Sequence, residues 1–414
     1  MGNVALSVNR PGVDPPSGWE WLPLASIARM ESGHTPSRNK PEYWGGDIPW
    51  IGIRDAKSAH GGTVSQTLEK TNALGISNSS ARVLPAGTVC LSRTASVGYV
   101  VKMGREMATS QDFVNWVCSG SIDPDFLRYL FVAEESALSR FSSGSVHQTI
   151  YYPELKAFHV CIPSMTQQKR IVAVLDQAFA ALDRARANCE ESLQAAEGLL
   201  RRTLGDEFEA IASQSSSLAL QDAVHPDCSL SYGIVQPGDE VSNGLPIVRP
   251  VDLTRREVGL AGLKRIDLRA ARGYARTTLK GGELLLCVRG NTGAISVAED
   301  ELTGSNVTRG IVPIRFEPTR VLRDFAYFQF CFGAIRSQIA EKTYGAALMQ
   351  INIKDLRNLR FVVPDIALQR DVIARSEALI NSATALRTSY KAQIADIAAL
   401  RQSLLQAAFS GQLT

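Results

Sequence analysis

The segment "CIPSMTQQKRIVAVL" (Cys161 to Leu175) is echoed by "VVPDIALQRDVIARS" (Val362 to Ser376), with Pro163 and Pro364, and Gln168 and Gln369, each 201 residues apart. Other echoes keep the same order. "DIPWIGIRDA" from Asp47 answers "GLPIVRPVDL" from Gly244, pairing Pro49 with Pro246 and Asp55 with Asp252. "LPAGTVCLSRTASVGYV" answers "LKGGELLLCVRGNTGAI", pairing Gly87 with Gly282 and Gly98 with Gly293. "TSQDF" from Thr109 is set against "GSNVT" from Gly304, "DFLRYLF" from Asp125 against "DFAYFQF" from Asp324, and Gly144 against Gly345. The separation drifts only from 195 to 201 residues, as a duplicated unit with loop insertions would drift. A repeat of this length divides the 414 residues into two similar bodies, each able to bury its own core.

Within a repeat, "GTVCLS", "ELLLCVR" and "GIVPIRF" are short apolar runs bounded by Gly or Pro, which suits buried strands. "DPDFLRYLFVAEESALSRF" offers Asp123 as an N-cap, Pro124 at the first helical position and apolar residues at Phe126, Leu127, Leu130 and Phe131, which predicts a helix. Each repeat therefore reads as a mixed α+β domain rich in turns.

The stretch after each Pro-x4-Gln is different in kind. Ile171, Leu175, Ala178, Leu182, Ala185 and Cys189 follow a 4-3-4-3-4 spacing that continues through Leu193, Ala196, Leu200 and Leu204. The second copy runs Leu379, Ala383, Leu386, Tyr390, Ile394, Ile397 and Arg401, then Leu404, Leu405 and Phe409. These heptad-like stripes predict two long helices, each needing a partner for its apolar face. The other copy is the natural partner. The expected organisation is a tail over 1–16, a first domain over 17–166, a helix over 167–212, a second domain over 213–366 after the Ser-rich "SQSSS", and a helix over 367–414. The fold class is α+β: two tandem, similar mixed domains separated by an antiparallel two-helix coiled coil with pseudo-twofold symmetry.

These residues resemble the specificity subunits of type I restriction-modification systems. The resemblance covers nearly the whole chain from Trp19 and is most specific in "SGHTPSRNKPEYWGGDIPWIGIRD" (Ser32 to Asp55), "LPAGTVCLSRTASVG" (Leu84 to Gly98) and the pattern from Gly144 to Leu175. The second half keeps the last pattern as "GAALMQINIKDLRNLRFVVPDIALQRDVI" and lacks the G-x-T-P-S and Y-W-x-G signature. The resemblance implies two target-recognition domains, each reading half of a split duplex DNA site, with two methyltransferase subunits, and in some systems a restriction subunit, docking on the chain. It implies no cofactor in this chain: S-adenosylmethionine, and ATP with Mg²⁺ where a restriction subunit joins, belong to the partners.

Base edges are read by Arg, Lys, Asn, Gln, Ser and Thr on loops that enter a groove. The candidates in the first repeat are Thr35, Ser37, Arg38, Asn39 and Lys40; Ser92, Arg93, Thr94 and Ser96; Ser110 and Gln111; and Ser145, His147 and Gln148. Those in the second are Arg289, Asn291 and Thr292; Ser305, Asn306 and Arg309; and Tyr344 and Gln350. Each competes with the plain alternative of a turn whose side chain bonds its own backbone. Arg265, Arg269, Arg272 and Arg276 would share one face if that segment were helical.

Other chemistries have weaker footholds. "DPPS" at Asp14 puts Ser17 where an amino-methyltransferase needs an aromatic ring to stack the flipped base, and no G-x-x-x-x-G-K-[ST] loop occurs. Pro124-Asp125 with Glu154-Leu155-Lys156 fits a loose metal-dependent nuclease pattern, which the second repeat breaks at Arg323-Asp324 and Asp355-Leu356-Arg357. A coiled-coil scaffold that binds no DNA would explain the helices and leave the polar loops without a purpose. No catalytic residue is assigned, and His147 is read as a polar loop residue. The seven cysteines and five histidines form no C-x-x-C or H-x-x-x-H, so no metal site is expected and a reducing cytoplasm is. The net charge of +3 permits nucleic-acid binding without announcing it.

Overall fold

The computed structural model describes residues 5–94, 96–143, 148–345 and 349–413. It divides into two compact units, residues 1–189 with 392–414, and residues 190–391. Each boundary falls inside a long helix, Met165–Gln214 or Ile366–Phe409, so each unit owns part of both helices.

The first unit is built on a five-stranded sheet in the order Ala28–Ser32, Phe113–Cys118, Val89–Ser92, Val100–Met103, Thr63–Val64. The run "TVCLS" is its centre because Val89, Cys90 and Leu91 are wholly buried on both faces. Helix Pro124–Ala133 covers the sheet, and the Asp123 carboxylate caps it by accepting from the N–H of Asp125 and Phe126. A second sheet places Trp44–Ile51 between Glu69–Thr71 and Ala108–Thr109, the latter in parallel.

Three residues of the segment 1–16, expected to be a loose tail, form a strand instead. Leu6–Val8 pairs antiparallel with Phe158–Pro163, which also pairs Trp19–Pro23, and the Ala5 N–H donates to the buried Glu134 carboxylate at 2.6 Å. Leu6 is fully buried and Ala5 nearly so, and their apolar burial together with the ladder bonds and the Glu134 contact offsets the entropy of ordering this short stretch.

The second unit repeats the plan with a four-stranded sheet, Glu257–Val258, Ile295–Ala298, Leu284–Cys287, Ile311–Ile314, and a three-stranded one centred on Leu245–Val248. Its counterpart of the first unit's outer strand shrinks to a single bridge, Val224 to Phe316. The Gly98 N–H donates to the Ser92 carbonyl at φ +105°, and the Gly293 N–H to the Cys287 carbonyl at φ +90°, so both glycines close the same turn in the left-handed region.

The recurring Pro-x4-Gln acquires a reason. Gln168, fully buried, donates from Nε2 to the carbonyls of Pro163 at 3.0 Å and Ser121 at 3.2 Å, and accepts from the Asp123 N–H at 2.9 Å. Gln369, equally buried, donates to Pro364 at 2.8 Å and Arg320 at 2.9 Å, and accepts from the Leu322 N–H at 2.8 Å. In both units one amide ties the first turn of the long helix to the start of the sheet-covering helix.

The long helices bury the expected stripe in the first copy: Ile171, Leu175, Cys189 and Leu204 are buried, and Ala178, Leu182, Ala185, Leu193, Ala196 and Leu200 are half-buried. In the second copy Leu405 and Phe409 are buried and Ala383, Tyr390, Ile394, Ile397, Arg401 and Leu404 half-buried, as expected, and the departures lie at its start. Leu379 and Leu386 are exposed, while Val372, Ser376 and Ile380 turn inward. In the first unit Arg401 pairs with Asp183 at 2.7 Å and lies 4.2 Å above the Phe179 ring, while Cys189 meets Gln393, an antiparallel register. In the second unit Arg375 pairs with Glu207 at 2.7 Å, and Phe208, Ile211 and Val372 share a core with Phe325 and Phe328. All seven cysteines are free. No helix is long and apolar enough to cross a membrane, among the described residues.

Candidate nucleic-acid interface

In the first unit, four loops meet along one edge of the sheets. The His34 N–H donates to the Thr109 carbonyl at 2.9 Å and the Thr35 hydroxyl bonds the Gln111 amide oxygen, joining the 33–40 loop to the 110–112 turn. The Arg93 N–H donates to the Asp112 carbonyl at 2.7 Å, joining that turn to the 93–96 loop. The Ile150 N–H donates to the Arg93 carbonyl at 2.8 Å and the Thr94 and Thr149 hydroxyls meet at 2.7 Å, which brings in the two residues that follow Gln148. Loops far apart in sequence thus form one polar rim.

Arg38 stands out on that rim. Its guanidinium lies 4.0 Å above the Trp44 ring and 4.9 Å from Trp50, and grips Glu69 through two bonds of 2.6 and 2.9 Å. The hydrogen bond from Arg38 holds the Glu69 carboxyl below its ordinary range. An arginine stacked and clamped in this way is preorganised, at little further entropic cost on binding.

The second unit assembles its rim by the same bonds. The Ile234 N–H donates to the Val307 carbonyl at 2.8 Å, as His34 does to Thr109. The Val288 N–H donates to the Gly310 carbonyl at 2.8 Å and the Ile351 N–H to the Val288 carbonyl at 3.0 Å, as for Arg93, Asp112 and Ile150. Arg289 bridges Gln350, and Tyr344 bridges Gln350, as Thr94 and Ser143 bridge Thr149. Arg289, Arg309 and Gln350 then line a pocket of about 330 Å³ with Tyr232, Val235 and Val288.

These bonds correct the sequence reading in three places. First, "TSQDF" aligns three residues further on than expected: the Ser110 N–H donates to Ile51 and the Thr308 N–H to Val248, so Ser110 matches Thr308 and Gln111 matches Arg309. Second, the lost G-x-T-P has a counterpart in "YGIVQP", with Gly233 standing for Gly33. A Cβ on Gly33 would fall 1.8 Å from the Ser110 carbonyl oxygen, and one on Gly233 2.0 Å from that of Val307, so both positions admit only glycine. Third, Arg265 belongs to strand Lys264–Ile266, and Arg269 and Arg276 to separate single turns, so the four arginines share no helical face.

Several candidates are internal. Ser92 is fully buried and donates to the Ser96 carbonyl at 2.5 Å; Ser110 is buried and donates to Asp112 at 2.9 Å. Ser305 is buried, and the buried Asn306 amide donates to the Tyr274 carbonyl at 3.1 Å and accepts from Thr277 at 2.8 Å. These four hold loops together and present nothing to a ligand; their polarity is explained by the cost of leaving buried backbone groups unpaired. Ser145 and His147 lie outside the described residues.

The remainder are accessible. Ser37, Arg38, Asn39, Lys40, Gln111, Gln148, Asn291, Arg309 and Tyr344 are exposed, and Thr35, Arg93, Thr94, Ser96, Arg289, Thr292 and Gln350 are half-buried. Sequence reasoning missed Trp44, Trp50, Glu69, Tyr232 and Val235. The sequence signal for the last two was a glycine 200 residues after Gly33, flanked by an aromatic and followed by proline.

The nuclease pattern loses its first carboxylate. Asp125 bonds Lys102 at 2.6 Å and Arg128 at 2.9 Å; burial opposes its ionisation, and the two cations outweigh burial and keep its pKa below the usual value. Among the described residues no group of three or more His, Cys, Asp or Glu is placed to hold a metal ion.

Residues 16–189 match the type I restriction modification DNA specificity domain. The chain is 24% identical over 69% of its length to the Escherichia coli type I restriction enzyme EcoBI specificity subunit, covering 66% of that protein. The chain is thus similar to the specificity subunits of type I restriction-modification systems, with the specificity domain itself matched over residues 16–189. Against the MjaIX specificity subunit of Methanocaldococcus jannaschii the identity is 30%, over 39% of this chain and 38% of that one. The matches thus span less than two thirds of these relatives' lengths. A chain solved in work on complex assembly and conformational transition of the type I R-M system has the same fold, with TM-score 0.75 and 19% identity over 97% of this chain and 100% of its own. The HsdS subunit from Thermoanaerobacter tengcongensis gives a TM-score of 0.59 and 16% identity, over 97% and 99%.

Proposed function

We propose that this chain reads duplex DNA for a type I restriction-modification complex, each unit contacting one half of an asymmetric, bipartite site through its rim. The observation that carries the reading is that two rims built on the same backbone bonds expose different side chains: Thr94, Gln111 and Thr149 in one, Arg289, Arg309 and Gln350 in the other. One scaffold with exchanged readers suits two related but distinct half-sites. The paired long helices are read as the spacer that sets the interval between half-sites, matched to a duplex repeat of about 34 Å, and as the platform on which two methyltransferase subunits, and a restriction subunit where one joins, dock. Methyl transfer and cleavage then belong to those subunits.

The test is selection of bound duplexes from a random library by the complex isolated through a tag on this chain, together with mapping of methylated adenines in the host with and without its gene. Two enriched half-sites at a set interval, coinciding with methylation that vanishes without the gene, are expected. A complex that enriches no sequence would leave the scaffold reading in its place.

A further inference from the structure

The two rims differ at matched positions, and the difference has a chemical meaning. Arg309 takes the place of Gln111 on the turn that follows the parallel strand, and Arg289 takes the place of Thr94. The backbone of Arg309 is anchored by its N–H to the Ile234 carbonyl at 2.9 Å, and its side chain is exposed with no hydrogen-bond partner among the described residues. Arg289 is half-buried and its Nε is sealed from solvent without a partner. Both line the 330 Å³ pocket with Gln350, Tyr232 and Val235. The pocket therefore holds unpaired donors from two guanidinium groups, and none of its six lining residues is acidic. The sealed Arg289 Nε costs free energy while unpaired, and the exposed Arg309 guanidinium has only water to shed before it meets a ligand rich in acceptors.

In the major groove guanine is the base that offers two acceptors side by side, O6 and N7, which match the fork of an arginine. Adenine offers one acceptor and one donor and would leave a guanidinium N–H facing an amino group. Thymine offers a single acceptor beside a methyl group. A phosphate would also take the fork, but the apolar walls of Val235, Val288 and Tyr232 suit a flat base edge better than a hydrated anion.

We infer that the pocket bounded by Arg289, Arg309, Tyr232 and Gln350 reads a guanine in the half-site of the second unit, with Arg309 as its specificity-determining residue. The inference rests on the proposed DNA-reading function. The matched position in the first unit, Gln111, lacks such a fork, so the two half-sites differ at corresponding places.

The complex isolated through this chain is given random duplexes, as wild type and as Arg309→Gln, Arg309→Lys and Arg289→Thr. Wild type is expected to enrich a site with an invariant guanine in one half. Arg309→Gln should relax that position about tenfold or more, and Arg309→Lys by less, because an ammonium still donates to O6 and N7, each leaving the other half unchanged; Arg289→Thr should relax the same position. Arg309→Lys keeps the charge and can still donate to O6 and N7, so a guanine preference weakened but present is expected of it; equal weakening of all sequences by the glutamine variant, with the guanine preference intact, would mark a phosphate contact and overturn the inference. Unchanged selection in all three variants would overturn it as well while leaving the DNA-reading function intact; a wild type that enriches nothing would remove both.

Discussion

Gln369 shows what one buried side chain does for this fold. Replacing it by leucine fills the space but orphans the Leu322 N–H and the carbonyls of Arg320 and Pro364. A loss of about 2–4 kcal/mol is expected, read as a lower urea midpoint with an unchanged slope for the unit that contains it. Asp125 makes a second prediction. Its pKa is lowered in the folded state, because Lys102 and Arg128 outweigh the penalty of burial. Its stabilising contribution is therefore present above the unfolded carboxylate value, about 4, and is lost as pH falls through the lower folded value. Asp125→Asn should destabilise at neutral pH and flatten the acid limb of a stability profile between about pH 5 and 2, a limb that an unchanged profile would assign to other carboxylates. At this scale the sequence named residue types well and burial poorly. Ser92 and Ser110 look like neighbours of Ser96 and Gln111, yet the first two are buried, Ser96 is half-buried and Gln111 is exposed. Strand alternation and the twist of a turn decide which, and neither is fixed by the identity of the residue.

The elements were easier to foresee. Asp123 and Pro124 announce their helix because capping and a preset φ act within a few residues. The helical stripe of Ile171, Leu175 and Cys189 follows from a period of about 3.6 residues in the same local way. Leu175→Ala, within the first unit's core, should cost about 2–5 kcal/mol, whereas Leu199→Ala, at 63% exposure on the same helix, should stay within about 0.5 kcal/mol. Thermal unfolding of the two variants checks the contrast. The failures among elements were long-range. Leu6–Val8 forms a strand because Phe158–Pro163 lies beside it, and no property of "LSV" predicts that neighbour. Leu379 and Leu386 fit a heptad on paper and face solvent, while the rest of that stripe, Ala383 to Phe409, is half-buried or buried.

For the whole molecule, the proposed reading makes the long helices a ruler. Seven residues inserted after Cys189, matched by seven after Lys391, should lengthen the interval between selected half-sites by up to about three base pairs, from 1.5 Å per helical residue and 3.4 Å per base pair. The half-site sequences should not change, and an unaltered interval would remove the ruler. With a net charge of only +3, the isolated chain should bind duplex weakly, with affinity falling linearly on a log scale as salt rises. A mobility shift across a salt series with the chain alone and in its complex tests both parts.

The sequence by itself determined that there are two related units, where their central apolar strands and the Asp123-capped helix lie, and that a glutamine follows each proline at the start of a long helix. Those features are written in short-range periods, turn residues and a repeat, although the partners that explain each glutamine, Ser121 and Asp123 or Arg320 and Leu322, lie more than forty residues away and only the fold brings them near. Only the tertiary structure decided which polar loop residues face outward, that Arg309 rather than Asn306 matches Gln111, and that Gly233 restores a motif the second half had apparently lost. Such matches depend on which backbone groups bond across the sheet edge, and three-residue insertions in the loops shift the text without shifting the bonds.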